Sequence, residues 1–378
     1  MSLAKSSNEI ASTHSSSSTP IIDELIPSRL HGTRTPHNAI LHSSLLTAAI
    51  RRDETDRTDI DDCDKLVYDM YASELAGSTQ HHTHFIHRYN NILSGDELAQ
   101  LQWEVLYDRQ SRPEVLIRCK YMDEWLSSTV HQLYTQSQQY IQVLLVGCGM
   151  DSRAYRLECM RYCNVYEVDH TVIIDYKSNI LSKYQCVANS VNRMGCDITH
   201  SQWFEQLLNR NNTTNNHRIP FDSNAITLII IEGVSMYLTK QQFATLLRQL
   251  HTLTIHNNQY VVCDIVNRAC ISHTTNIQYY HLFKYGATQQ QIQHTLYDAG
   301  YTVQYNGSHN SSNHCGSNNN NNCRNCVTST NHEFLYIGMN SISYDRYLQP
   351  PYRNQMNIEC CTYIIHAVKR TVRKKCRK

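Results

Sequence analysis

The stretch that most constrains what this chain can fold into is residues 143–157, VLLVGCGMDSRAYRL. An apolar run at 143–146 meets a tight turn, Gly147-Cys148-Gly149, and a helix-like segment follows at 151–158. Strand, glycine turn and helix in that order build a ligand site. Glycine has no Cβ to keep backbone away from a bound group, and the helix N-terminus supplies unpaired N–H groups. Downstream the pattern alternates. Strand-like runs at 164–168, 191–196, 226–231, 259–263, 301–305 and 361–368 are separated by helical segments at 169–184, 203–208, 239–253 and 288–299. Near-continuous apolar strands between helices predict an α/β, Rossmann-like, mostly parallel seven-stranded sheet with helices on both faces.

Upstream of the glycine turn the chain reads as helical. LLTAAIRR at 45–52, the amphipathic run 66–75, and the segments 97–107 and 113–134 all space their apolar residues at helical period. The expected organisation is a polar tail at 1–43, a helical cap at 44–138, a ligand-binding domain at 139–368 and a basic tail at 369–378. Two polar excursions, Asn-rich at 209–216 and Asn/Ser/Cys-rich at 306–331, interrupt the ligand-binding domain and read as solvated surface.

A net charge of +1 argues against a nucleic-acid binder, and no apolar run is long enough for a membrane span. The serine-rich start lacks the apolar core of a secretory signal. Fifteen cysteines scattered without a framework read as reduced thiols, which implies a cytoplasmic setting.

In an open parallel sheet, ligands collect outside the C-terminal ends of the strands. Asp169, Asp197 and Glu232 each follow a strand, and Gly147 and Gly149 end the first one. An acid beyond the second strand is placed to accept from ribose hydroxyls, and one beyond the third to reach an adenine amino group. The dinucleotide fingerprint G-x-G-x-x-G is broken by Ser152, and a pyrophosphate would meet Asp151, Asp169, Asp197 and Glu232 as an acidic rim. A cationic sulfonium suits such a rim, which favours S-adenosyl-L-methionine (SAM) over a nicotinamide cofactor.

The run VLLVGCGMDSRAYRL, then YEVDH, CDI and IIIEGVSMYL, resembles the leucine carboxyl methyltransferase family in its broad sense. The upstream stretches SLLTAAIRRDETDR, YASELAG and RPEVLIRCKYMDEWL are similar to the bacterial-type, SAM-dependent branch of that family. The resemblance implies the class I methyltransferase fold, SAM as cofactor and methyl transfer as activity. Arg118 then matches the arginine that holds the carboxylate of SAM's methionine part. Gly147 lies at the glycine loop with Gly149 beside it, and Asp169 matches the ribose-binding acid. Asp197 and Ile198 match the adenine-contacting pair, where the family more often has Asp-Leu. Glu232 matches the acid near the methionine amino group, and Tyr237 of the EGVxMYL motif faces the substrate pocket.

The expected reaction is in-line O-methylation of a small-molecule or carboxyl acceptor, which needs a general base only when the acceptor is a hydroxyl. The cap and residues 341–353 are the expected lid and acceptor pocket. Protein C-terminal leucine carboxyl methylation is the alternative within the family; a NAD-dependent oxidoreductase and a non-catalytic SAM-binding protein are the alternatives outside it. The His314, Cys315, Cys323, Cys326 and His332 group has a single C-x-x-C and lacks a second at zinc spacing, and His81, His82 and His84 read as a polar turn, so no metal site is expected.

Overall fold

The computed structural model describes residues 36–77, 112–209, 219–268, 283–303, 335–337 and 362–370. Five strands run parallel: β1 (Ile141–Val146), β2 (Cys163–Asp169), β3 (Ser190–Gly195), β4 (Thr227–Ile231) and β5 (Gln259–Val266). β8 (Thr362–Lys369) lies antiparallel to β5, and two short strands, β6 (Tyr301–Val303) and β7 (Leu335–Ile337), lie antiparallel to β8. The sheet order is β3-β2-β1-β4-β5-β8-β6. The chain steps outward from β1 to β3 and then returns to β4 on the other side of β1. A crevice opens at such a reversal, at the C-terminal ends of the strands.

Alternate strand residues face opposite layers. Val143, Leu145, Val165, Leu228 and Ile230 pack with Leu45, Ala49 and Ile50 of α1 (Pro36–Thr55), Ile117, Met122 and Leu126 of α3 (Arg112–Ser137), and Ile173 of α5 (Thr171–Leu181). Leu144, Val146, Tyr166, Ile229 and Ile231 pack with Trp203 of α6 (Gln202–Asn209), Phe243 and Leu250 of α7 (Lys240–Thr252), and Ile292 and Leu296 of α8 (Gln289–Asp298). Each such buried side chain contributes roughly 1.5–3 kcal/mol of transfer free energy. The helices upstream of β1 therefore share one continuous core with the sheet. α7 and α8 each begin with a capping box, Thr239 with Gln242 and Thr288 with Gln291, which fixes their starts. No helix among the described residues is long and apolar enough to cross a membrane.

Three expectations shift. α1 begins at Pro36, inside the stretch expected as a tail; proline is well accommodated in a first helical turn. The run 66–75 is helical only at α2 (Ala72–Ala76). There the Asp69 carboxylate accepts from Tyr71 N, a local bond that competes with helix formation, and the Asp69 N–H donates to Thr55 Oγ1 of α1 rather than to a helical carbonyl. The segment 97–107, the Asn-rich excursions and residues 341–353 lie outside the described residues, apart from Asn209 at the end of α6.

The third difference concerns the edge of the sheet. Val303 pairs with Ala367 and Leu335 with Ile364, so only His366 and Ile365 separate the two partners along β8. β6 and β7 thus occupy one strand position, with residues 304–334 between them in sequence. The expected seven positions are there, one of them filled by two segments. Excision of residues 305–333, joining Gln304 to Phe334, supplies the two residues that face His366 and Ile365. The shortened chain is expected to keep its circular-dichroism spectrum and cooperative melting; loss of cooperative unfolding would show that the insertion carries structure the sheet needs.

Candidate active site

The glycine turn is stitched to the end of β2. Gly147 N and Cys148 N donate to Val168 O at 2.8 and 3.2 Å, and Gly149 N donates to Asp169 Oδ2 at 2.7 Å. Gly147 has φ +66° and Gly149 φ +45°, the left-handed region that favours glycine. What fills the space of the missing Cβ atoms is protein rather than open room for a ligand. A Cβ on Gly147 would lie 2.4 Å from Val234 Cγ2, and one on Gly149 would lie 3.2 Å from Ser44 Cβ of α1. The glycines serve the turn's conformation and its packing, which corrects the expectation that they make room for a close approach.

Beside this turn lies a cleft of about 380 Å³. All eight residues expected at the site, Arg118, Gly147, Gly149, Asp169, Asp197, Ile198, Glu232 and Tyr237, line it. α1 contributes Ser43, Ser44, Leu46, Thr47 and Arg51 to the same wall.

At one end are the acids beyond β2 and β3. Asp169 is buried, which pushes its carboxyl up from the ordinary value, against the opposing pull of bonds from Gly149 N and His170 N. Asp197 closes a turn by accepting from Thr199 N and Oγ1 at 2.8 and 2.7 Å; partial burial opposes ionisation, and these bonds win, holding its carboxyl below the usual range.

At the other end Glu232 sits between two guanidiniums. Arg118 Nε donates to its Oε1 at 3.1 Å and Arg153 lies 2.7 Å from its Oε2. Arg118 also donates to Asp264 Oδ2 at 3.0 Å, while Asp264 Oδ1 accepts from Gly233 N. Arg153, first residue of α4 (Arg153–Arg156), also pairs with Asp123 at 2.6 Å and Asp151 at 2.5 Å. Arg156 holds the second oxygen of Asp123. A parallel set ties the cap to the turn: Arg51 bonds Asp69 and Met150 O, and Ser152 Oγ donates to Asp69 Oδ2 at 2.6 Å.

This network corrects the acidic rim. Asp151 and Glu232 are ion-paired, so they do not present bare negative charge to a ligand. Asp169 and Asp197 are the acids left to favour a sulfonium at this cleft. Sequence reasoning missed Arg153, Asp123 and Asp264. For Asp264 a signal existed: an acid inside the apolar run QYVVCDIV must find a partner when buried, but ending the strand at residue 263 hid it.

Beyond β4 the 3₁₀ turn Ser235–Tyr237 places Tyr237 edge-on to Phe283, ring centres 5.4 Å apart. Its hydroxyl bonds the Ser43 side chain, and burial pushes its phenol up. Among the described residues eight cysteines are free thiols; Cys119, Cys148 and Cys196 line the cleft, and burial pushes the Cys119 thiol up to about 12. The His314–His332 group and His81, His82 and His84 lie outside the described residues.

Two outcomes follow from this geometry. Gly147→Ala combines a left-handed backbone with the Val234 contact and is expected to lower stability by about 1–3 kcal/mol, measured by urea denaturation; an unchanged midpoint would contradict the packing described. Burial raises the Asp151 carboxyl, but the charges of Arg153, Lys177 and Arg156 and the bond from Arg153 N together outweigh it and bring the group down from 3.8 to about 2. A carboxyl depressed on folding stabilises above its unfolded value and loses that contribution as pH falls through the folded one. Between pH 4 and 2 this group's contribution, about 2 kcal/mol, should disappear. Asp151→Asn should flatten the urea midpoint across that interval, and an equally steep loss in the variant would assign the acid sensitivity elsewhere.

Comparison with known proteins bears on residues 44–251, which match the leucine carboxyl methyltransferase family. A Streptomyces coelicolor protein named "Putative S-adenosyl-L-methionine-dependent methyltransferase" is 27% identical over 210 residues, 55% of this chain and 60% of that one. A Saccharopolyspora erythraea protein of the same description is 24% identical over 222 residues, 58% of this chain and 66% of that one. The chain thus spans less than two thirds of the length of these relatives. Among solved structures, a DUF574 family protein from Streptomyces avermitilis overlays with a TM-score of 0.46 at 8% identity, covering 76% of this chain and 97% of that one. With the family profile covering more than half of its length, and with the glycine turn, the strand-tip acids and Arg118 gathered on one cleft, this chain belongs to the leucine carboxyl methyltransferase family.

Proposed function

We propose that this chain is a SAM-dependent methyltransferase acting on an oxygen of a small-molecule or carboxyl acceptor. The observation that carries the reading is the convergence of Asp169, Asp197, Glu232 and Arg118 on the one cleft beside the Gly147–Gly149 turn. The residues fit the cofactor. A carboxylate offers about four acceptor sites, and the N–H donors of Gly149 and His170 take two on Asp169, leaving others for ribose hydroxyls. Asp197 and Ile198 line the adenine side. Glu232 keeps 17% of its side chain exposed and accepts from an ammonium, while the guanidinium of Arg118 donates to the amino-acid carboxylate. SAM, when bound, supplies a methyl group already electrophilic on its sulfonium.

The protein's part is to orient the acceptor and exclude water. The part of the cleft beyond β4 and β5 is lined by Glu232, Met236, Tyr237, Leu238, Gln242, Val266, Phe283 and Lys284. Apart from Glu232, which two guanidiniums hold, none of these described residues is a carboxylate or an imidazole. The raised Tyr237 phenol stays protonated near neutral pH and acts as a donor rather than a base. This lining supports an acceptor that is nucleophilic without deprotonation, such as a carboxylate. Methylation of a protein's C-terminal leucine is the second reading, favoured by the apolar character of the same lining.

Calorimetric titration is expected to give heat with SAM and none with NAD; the reverse would overturn the reading in favour of an oxidoreductase. Asp169→Asn keeps an acceptor oxygen for Gly149 N, gives up the bond from His170 N and removes the charge. It should weaken SAM binding by about 1.5–3 kcal/mol with a lowered but still cooperative melting transition, and unchanged affinity would remove Asp169 from the site. Radiolabelled SAM with cell extract should yield base-labile label; base-stable label would exclude the carboxyl acceptor.

A further inference from the structure

Arg153 is the most enclosed cation of the site, with 2% of its side chain exposed, against 17% for Glu232. A guanidinium carries five N–H donors in a rigid fork. Here Nε and Nη1 engage three carboxylates from three places, Asp123 on α3, Asp151 just after the glycine turn and Glu232 at the tip of β4, while Nη2 reaches the carbonyl and thiol of Cys119. Arg118 already holds Oε1 of Glu232, and Arg153 takes Oε2. With one oxygen pinned a carboxylate still swings about that contact; with both pinned by guanidiniums from different helices its plane is fixed. Arg153 borders the cleft with only 2% of its side chain exposed and its guanidinium engaged by carboxylates, so it acts on a ligand through the more exposed Glu232.

We propose that Arg153 is a positioning residue for the amino-acid end of the methyl donor, holding Glu232 at the angle at which it accepts from the donor's ammonium. The proposal rests on the cofactor reading above and adds to it a residue that reaches the donor only through Glu232. It has a direct consequence. Loss of Arg153 damages recognition of the amino-acid end and spares the adenosine end, which Asp169 and Asp197 serve from the other side of the cleft.

The test is calorimetric titration of the full chain, wild type and variants, with two probes. One is SAM; the other is 5′-methylthioadenosine, which keeps the adenosine and its sulfur but lacks both the amino-acid chain and the sulfonium charge, so each probe is compared only between variant and wild type. Arg153→Met keeps the stem and removes the fork, and Arg153→Lys keeps a charge that cannot span three carboxylates. Both variants should bind SAM about tenfold more weakly, the loss of one charge-assisted bond, and bind 5′-methylthioadenosine as the wild type does. If Arg153→Met does not fold, Arg153→Lys decides. Parallel loss of both ligands, failure of both variants to fold, or unchanged SAM affinity would make Arg153 a staple of the core and overturn the proposal. A wild-type chain that binds neither probe would instead bring down the cofactor reading itself.

Discussion

A carboxylate drawn out of water needs positive charge close by, and Glu232 receives it from two directions. Arg118 arrives from α3 and Arg153 from α4, each engaging one oxygen. Each arginine is anchored behind by further acids, Asp264 on β5 for the first and Asp123 with Asp151 for the second. Take one cation away and several buried carboxylates lose their compensation together. The rest of the site is arranged around that constraint: the cap helices lie against the sheet where their arginines can reach the strand tips.

The same logic recurs beneath the turn. Glu167, in the middle of β2 and fully buried, pairs with Lys177 of α5 at 2.8 Å and Arg193 of β3 at 2.7 Å. Pairs of this kind contribute little net stability, because desolvation offsets attraction, but breaking one is costly. Their effect is geometric. They allow one arrangement of helix against strand and penalise its neighbours, which holds the cleft in a defined shape before any ligand arrives.

Much of this was legible from residue order alone. The apolar runs IQVLLV and TLIII are buried along their whole length, as a doubly covered parallel sheet requires, and the acids that follow strands reach the cleft because strand tips end there. What stayed hidden was pairing at long range. Arg118 reads as a surface charge on an amphipathic helix, and its partners lie 114 and 146 residues away. Asp69 reads as part of a helix because spacing is blind to a side chain recruited by Arg51 and Ser152. Charge seen in one dimension gave an acidic rim; folded, the arginines stand beside the acids.

The split edge strand carries a consequence for how this chain ages in sequence. Its two halves meet β8 in continuous register on either side of a polar tract that includes five consecutive asparagines at 318–322. The entropy of connecting two fixed strand ends rises only with the logarithm of the number of residues between them, about 0.6 kcal/mol for each doubling. Drift in the number of repeated asparagine codons is therefore nearly silent at this point, whereas one residue gained or lost inside β8 would turn the side chains beyond the change to the opposite face.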